Sequence, residues 1–489
     1  MEPLGPKQVA MVVLAGIAAI GLVITVIAGA VAVLPRENRY VVGAQPGDSA
    51  STAPAAPTSA PSTPAPASPS SATAKPAPPK LNLPSPVLAA ASPRVVPDKA
   101  AVAARIRAIK VKGMGSSYSG SVVEVGTGKV LYTHNATRGY IPASTMKLLT
   151  STAALSILGP DHTFKTSVVS PKRGQIILVG GGDPYLARKA GADYPKRATI
   201  NGLARTTASR LKQDKIKKVS LGYDSSLFKG PAWNPRWPAF YRDSVSRTSA
   251  LWVDEGPIGF GSPGPRPRDP AKQAATAFAD ALSKQGITVT TTRRAQAPKS
   301  APLVARVSSM SLERIVERLI MVSDNDAAEV IYRQAAVGAG RPGSIAEANK
   351  VVRSELTQLG IWEQGMTIND GSGMARQTKV PADSMVKMLR AAAEQQHPEL
   401  RAVITGLSVA GVEGSLKRRY VDDQSLAARG VVRAKTGTLN KVRSLAGVVR
   451  TSDGSLLAFA FLINNPKNEY AAMVWLDRVT AAISRCGCR

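Results

Sequence analysis

Three short clusters hold the residues that could do chemistry. In Pro142-Ala143-Ser144-Thr145-Met146-Lys147, a serine and a lysine stand three positions apart. On a helix that spacing puts both side chains on one face of one turn. A serine hydroxyl is a weak nucleophile and needs a base beside it. A lysine one turn away can be that base once its pKa is lowered. A helix start adds unpaired N–H groups and the positive end of the dipole, which suit an oxyanion. The second cluster is Ser323-Asp324-Asn325 and the third is Lys435-Thr436-Gly437-Thr438. The latter sets an ammonium and hydroxyls beside a residue with no side chain, so a substrate backbone can come close. His134, His162 and His397 are scattered, without Ser-His or metal-ligand spacing, so histidine is not the expected base. Neither a metal nor a cofactor is expected.

The surrounding patterns show what must position these clusters. Met146, Leu149, Ala153 and Ile157 recur at helical spacing after Ser144, up to the breaker Gly159-Pro160, so Ser144 is expected to open a helix. Ser311 can cap a helix with Leu312, Ile315, Val316, Leu319 and Ile320 on one face. It would end at Ser323-Asp324-Asn325, and Asp326 would cap a following helix through Ala328, Val330 and Ile331. The second cluster therefore sits in a turn between helices, where polar side chains can point into a cleft. Strand patterns over Val431–Thr438, Val442–Val449 and Leu456–Ile463 form a meander carrying the third cluster, followed by a helix over Tyr470–Ser484. Upstream, a helix is expected over Asp98–Ile109 and a hairpin around Gly126-Thr127-Gly128. Residues 164–307 differ in character. Strands over Gln175–Val179, Lys218–Gly222 and Ile287–Thr291 alternate with helices over Ile200–Leu211 and Ala271–Gln285. Gly180-Gly181-Gly182 lacks the Gly-Lys-Ser/Thr continuation of a phosphate loop and reads as a turn. Trp233 and Trp237 are read as packing a proline-rich loop.

The chain has 489 residues, enough for two or three domains. Residues 9–34 carry no charge and are long enough to span a bilayer, so they read as a signal anchor behind a short cytoplasmic tail at 1–8. Ala-x-Ala sequences near its end are compatible with cleavage. Residues 35–97 are mostly Pro, Ala, Ser and Thr and form a disordered stalk. Lys7 on one side and Arg36 and Arg39 on the other decide the orientation poorly, but such a stalk holds a folded domain away from the membrane, as a wall-facing enzyme would need. The net charge of +30 favours polyanions, whether nucleic acid, anionic lipid or anionic cell-wall polymers. No zinc-finger or RNP-like pattern accompanies the charge, so nucleic acid is not expected. Cys486 and Cys488, the only cysteines, either close a small disulfide or stay free.

Ser-x-x-Lys, Ser-Asp-Asn and Lys-Thr-Gly in this order are the set shared by penicillin-binding proteins and class A β-lactamases. Further stretches extend the likeness: Gly180-Gly181-Gly182-Asp183-Pro184, Asp370-Gly371-Ser372-Gly373-Met374-Ala375-Arg376 and Val409-Ala410-Gly411-Val412-Glu413-Gly414-Ser415-Leu416. On these the chain resembles the class C low-molecular-mass penicillin-binding proteins, the D-alanyl-D-alanine carboxypeptidase/endopeptidase family. The resemblance implies an α/β (α+β) fold of penicillin-binding-protein/β-lactamase type. It would hold an antiparallel five-stranded sheet flanked by helices, a helical subdomain and one inserted α+β domain. The serine acyl-transfer domain would comprise residues 98–163 and 308–489, with the insert at 164–307. Larger members of that family carry two inserted domains.

The resemblance also implies roles. Ser144 would attack the carbonyl of a penultimate D-alanine, and Lys147, its pKa lowered by burial and by Lys435, would take the proton. Ser323 would relay a proton to the leaving amine, and Asn325 would hold the substrate amide and position Lys147. Lys435, Thr436, Gly437 and Thr438 would bind the terminal carboxylate. The backbone N–H groups of Ser144 and Thr438 would form the oxyanion hole. Arg376 would meet a stem-peptide carboxylate, while Asp370 and Ser372 shape a turn. The implied partners are peptidoglycan peptides and β-lactams. A serine β-lactamase would use the same acylation residues but normally lacks so long an insert. A non-catalytic wall-binding protein would not need all five of Ser144, Lys147, Ser323, Asn325 and Lys435.

Overall fold

The computed structural model describes residues 96–191, 196–256 and 265–487. The expected anchor at 9–34 and nearly all of the stalk lie outside the described residues. Among the described residues no helix is long and apolar enough to cross a membrane.

In chain order the elements are α1 (Lys99–Ala108), β1 (Tyr118–Glu124), β2 (Val130–His134), α2 (Met146–Leu158), β3 (Lys165–Lys172) and β4 (Gln175–Val179). Next come α3 (Ile200–Gln213), β5 (Lys218–Asp224), α4 (Pro270–Lys284), β6 (Thr288–Arg294), β7 (Leu303–Ser308), α5 (Leu312–Val322) and α6 (Asn325–Gly338). Last are α7 (Ile345–Gln358), α8 (Ala382–Ala393), β8 (Ser408–Val409), β9 (Arg433–Leu439), β10 (Val442–Arg450), β11 (Leu456–Asn464) and α9 (Glu469–Ser484).

The main sheet runs β2-β1-β11-β10-β9-β8 and is antiparallel throughout. It has six strands rather than the expected five. The sixth is the two-residue strand β8, whose Ser408 and Val409 pair with Ala434 and Arg433. So short an edge has no period to read in a sequence. β11 is apolar on both faces because helices cover both. Ala458, Ala460 and Leu462 face the core that contains α2, α5 and α8. Leu457, Phe459, Phe461 and Ile463 alternate with them and face α1 and α9.

The second sheet runs β6-β5-β4-β3-β7. β4, β5 and β6 are parallel, and β3 is antiparallel to β4 and to β7. α3 and α4 share its core. The chain enters this unit on β3 and leaves on β7, paired from Lys165↔Ser308. Neither strand was expected from sequence, since each has only a short apolar run among polar residues. The glycine run after β4 is a turn in which Gly182 is left-handed (φ +74) and Gln334 donates to the carbonyls of Gly181 (2.7 Å) and Gly182 (3.1 Å).

Two expectations about the site's elements need correction. Ser144 does not open the α-helix. It lies in a 3-10 turn, Ala143–Thr145, and the helix begins at Met146. Ala143 is held at φ +48, and Gly373 packs so closely that a Cβ there would collide with the Ala143 carbonyl. Asn325 is not in the inter-helix turn but is the first residue of α6. Asp324, not Asp326, is the cap, accepting from Ala327 N at 3.0 Å. Ser323 terminates α5 in the left-handed region, φ 61 and ψ 41. Asp326 instead points to the inserted unit, accepting from Ser246 N at 2.7 Å.

α2 is buried on every side from Met146 to Leu155, which marks it as a core helix. β9 presses directly on the turn before it. A Cβ at Gly437 would lie 2.5 Å from Pro142 O and would overlap Ser444 Oγ. Gly437→Ala should therefore push β9 off the Ser144 turn, costing about 1–3 kcal/mol as an overpacking change. Thermal melting checks the stability loss, and labelling by a fluorescent β-lactam should slow at least about tenfold. Wild-type labelling in a stable variant would show that this contact does not set the site.

Candidate active site

The first two clusters and the Ser372 loop meet around one amine, and the third cluster packs against the Ser144 turn through Gly437. Lys147 is wholly buried, and its Nζ donates to Ser144 Oγ at 2.8 Å, Asn325 Oδ1 at 2.7 Å and Ser372 O at 2.9 Å. An ammonium has three hydrogens to give, and all three are taken. When the amine is neutral the same geometry has one solution. Neither the Asn325 carbonyl oxygen nor the Ser372 carbonyl can donate, so both keep an N–H. The lone pair is left facing Ser144, the one partner with a hydrogen to give.

Burial lowers the Lys147 pKa from 10.5 to about 8, while Asp370, Asp324, Glu329 and Asp326 pull it back up. Lys435, also buried, is pushed well below its usual value by burial and then by Lys147. Desolvation dominates at both lysines, the two ammonium groups repel each other, and four carboxylates favour a charged Lys147.

The third cluster lies on β9. Lys435 Nζ donates to Thr436 O at 3.0 Å, Thr436 Oγ1 to Ser415 Oγ at 2.9 Å, and Thr438 is exposed. Hydroxyls tie the Ser144 turn to the sheet. Thr145 Oγ1 (2.7 Å) and Ser444 Oγ (2.6 Å) both donate to Pro142 O. The Asn464 side chain brackets Ile141, accepting from its N–H at 2.9 Å and donating to its carbonyl at 3.2 Å. Ser323 is half-buried and is not among the partners of Lys147. Arg376 is half-buried and donates to Asn440 O at 2.9 Å. It lines a cavity of about 450 Å³ with Tyr241, Thr438 and Leu439. Among the described residues no group of three or more His, Cys, Asp or Glu could hold a metal.

Sequence reading missed the carboxylate that aims the Ser372 carbonyl. Glu329, one turn after Asn325 on α6 and fully buried, accepts with Oε1 from Gly371 N at 3.0 Å and Ser372 N at 2.7 Å. Asp370 grips the other half of the loop, accepting from Gly373 N at 3.1 Å, Ala375 N at 2.7 Å and Trp237 Nε1 at 2.9 Å. Burial and Asp370 raise the Glu329 pKa to about 8, and burial raises Asp370. The i, i+4 spacing of Asn325 and Glu329 was the available signal.

A buried lysine hydrogen-bonded to a half-buried serine and to an asparagine, with a second buried lysine close enough to feel its charge, suits serine acyl transfer. The fold agrees: penicillin binding protein 4 of Haemophilus influenzae superposes with a TM-score of 0.63 at 21% identity, over 77% of this chain and 97% of that one. A carboxypeptidase of Mycobacterium tuberculosis is 31% identical over 416 residues, 82% of this chain and 87% of the relative. The carboxypeptidase DacB of Mycolicibacterium smegmatis is 31% identical over 83% of this chain and 90% of its own length. The D-Ala-D-Ala carboxypeptidase 3 (S13) family model matches residues 102–259 and 264–481, and the chain belongs to that family.

Two outcomes follow from the electrostatics. Lys147 accepts a proton only when neutral, so acylation of Ser144 should rise with pH through an apparent value near 8 and fall about tenfold per unit below it. Glu329→Gln keeps an oxygen for both loop N–H groups but removes the charge Glu329 gains as it ionises near pH 8, so the upper part of the limb, at and above that pH, should move to lower pH. Glu329→Ala orphans two buried N–H groups, at about 1–3 kcal/mol each, and should slow acylation at least about tenfold. Stopped-flow acylation profiles check this, and an unmoved limb in Glu329→Gln would refute the coupling.

Proposed function

We propose that this chain is a serine-type D-alanyl-D-alanine carboxypeptidase, with endopeptidase action on cross-links, that works on peptidoglycan stem peptides and is acylated by β-lactams on Ser144. The three-way hydrogen bonding of the buried Lys147 amine is the observation that carries this reading. Ser144 Oγ attacks the carbonyl of the penultimate D-alanine as Lys147 takes its proton. The oxyanion is received by the backbone N–H groups of Ser144 and Thr438. Asn325 holds the substrate amide, and Ser323, fixed in a left-handed turn beside it, passes a proton to the leaving amine. Lys435 with Thr436 and Thr438 binds the terminal carboxylate, and Gly437 lets the substrate backbone approach. Water then attacks the acyl-enzyme and frees the shortened peptide. Arg376, in its cavity beside Thr438, is assigned to a carboxylate of the stem peptide.

Relatives named as carboxypeptidases over most of the chain's length support the reading, as does the Haemophilus protein solved with a β-lactam. The uncharged run at 9–34 and the Pro/Ala-rich run at 35–97 support an anchored enzyme on the wall side of the cell membrane. A serine β-lactamase is disfavoured by the long insert and because two buried carboxylates that act on Lys147, Glu329 and Asp370, are engaged with backbone N–H groups. A long-lived penicillin adduct separates the two readings, since rapid turnover belongs to the lactamase.

Ser144→Ala should abolish both β-lactam labelling and release of D-alanine from a pentapeptide ending in D-Ala-D-Ala. Lys147→Ala should cost at least about a hundredfold in acylation. Mass spectrometry of digested peptidoglycan identifies the bond cut. Labelling retained by Ser144→Ala would overturn the assignment.

A further inference from the structure

We propose that the inserted unit, together with Arg333 of α6, forms a second binding site, separate from Ser144, for the phosphodiester groups of an anionic wall polymer. A cavity of about 720 Å³ opens between the end of β5, the loop that follows it, the segment Arg247–Ser249, the start of α4 and the end of β6. That volume lies within the range of small-molecule sites, about 300–1,000 Å³. Five cations line it: Lys229, Arg247, Arg268, Arg294 and Arg333, against two carboxylates, Asp224 and Asp269.

Both carboxylates are already committed. Asp224 accepts from Ser226 N and from Ala297 N, each at 2.8 Å. Asp269 caps α4 at Lys272 N (3.0 Å) and pairs with Arg294 at 2.7 Å. Only Arg294 is neutralised within the lining. Arg333 is 2% exposed, and its guanidinium donates to backbone carbonyls, Lys229 O at 2.9 Å and Pro231 O at 2.6 Å. Its Nε is buried with no partner. Among the described residues no ion pair reaches Arg333, Arg247, Arg268 or Lys229. The buried Arg333 guanidinium is held by carbonyl dipoles and partly offset by Glu329 one turn earlier on α6, while Arg247, Arg268 and Lys229 add three cations with no ion pair among the described residues, so the opening favours an entering anion.

Several guanidinium forks around one opening match the spread oxygens of a phosphate better than a single planar carboxylate. An open mouth suits a polymer that enters and leaves. Nucleic acid is disfavoured because the cavity offers no stacking platform. Phe228 is covered by Arg333, 5.8 Å from its centroid, and Trp233 and Trp237 pack on each other at 5.2 Å.

The test is titration of the full-length chain with a poly(glycerol phosphate) oligomer at about 0.15 M salt, where diffuse surface attraction is screened. Matched titrations use poly-γ-glutamate, inorganic phosphate and oligothymidylate. The double variant Arg247→Ser/Arg268→Ser should lose at least about tenfold in affinity for the phosphate polymer, a difference of about 1.4 kcal/mol. Lys215→Ser/Lys217→Ser, with the same charge loss elsewhere, should stay within about twofold. β-Lactam acylation of Ser144 should be unchanged in both variants, so failure here is distinguishable from failure of the active-site reading. The proposal is overturned if the cavity variant binds like wild type or if both variants lose equally. It is also overturned if polyglutamate or oligothymidylate binds as tightly through Arg247 and Arg268.

Discussion

A lysine amine inside a protein core is the constraint on which this structure depends. Removing an ammonium from water is costly unless hydrogen bonds replace its hydration, and a neutral amine still needs its N–H groups satisfied. The chain meets the requirement with oxygens from three segments far apart in sequence: Ser144 Oγ, Asn325 Oδ1 and Ser372 O. The turn before α2, the first residue of α6 and the loop after Asn369 must therefore converge. Each is fastened separately. The turn is tied to β10 and β11 through Ser444 and Asn464, the loop to α6 through Glu329, and α6 starts at the Asp324 cap. Convergence is thus a property of the core rather than of flexible surface loops.

The inserted unit takes part in that fastening. Trp237 reaches from the insert to Asp370, Asn234 donates to Asn369 O at 2.8 Å, and Ser246 donates its N–H to Asp326. Arg333, two turns along α6 from Asn325, donates to the insert's carbonyls at Lys229 and Pro231. One helix therefore presents Asn325 to the reacting serine–lysine pair, Glu329 to the loop beneath it and Arg333 to the insert. Spacing of four along a helix places all three near one stripe. A displacement of the insert would be felt at the Ser372 carbonyl, and through it at Lys147.

Much of this was legible in the residues. The meander after Val431, the core helix ending at Gly159 and the helix pair around Ser323 follow from strong apolar periodicity and from glycine and proline punctuation. Where sequence reasoning failed, a tertiary contact decides the local structure. Ser144 looked like a helix start, but packing by Gly373 and Gly437 holds Ala143 left-handed and inserts a 3-10 turn first. Asp324 and Asp326 are both plausible caps by type. The choice went to Asp324 because Asp326 is engaged by Ser246 and faces Arg266 at 3.7 Å. β3, β7 and β8 have little pattern of their own and exist because a neighbour pairs with them. Glu329 reads in sequence as an ordinary helix-surface glutamate, and only the fold buries it under Gly371 and Ser372.

The electrostatics suggest why two lysines rather than one occupy this pocket. Two buried ammonium groups repel, so the pair holds one proton far more readily than two and titrates as a unit. Without substrate, the carboxylates around Lys147 favour the proton there, and Lys435 is the group pushed further down. On the proposed reading, a carboxylate bound beside Lys435 would favour the proton there and leave Lys147 neutral, its lone pair directed at Ser144 by Asn325 and Ser372. The contact proposed to recognise the end of the peptide would then also arm the base, so its binding energy would be used where the reaction needs it.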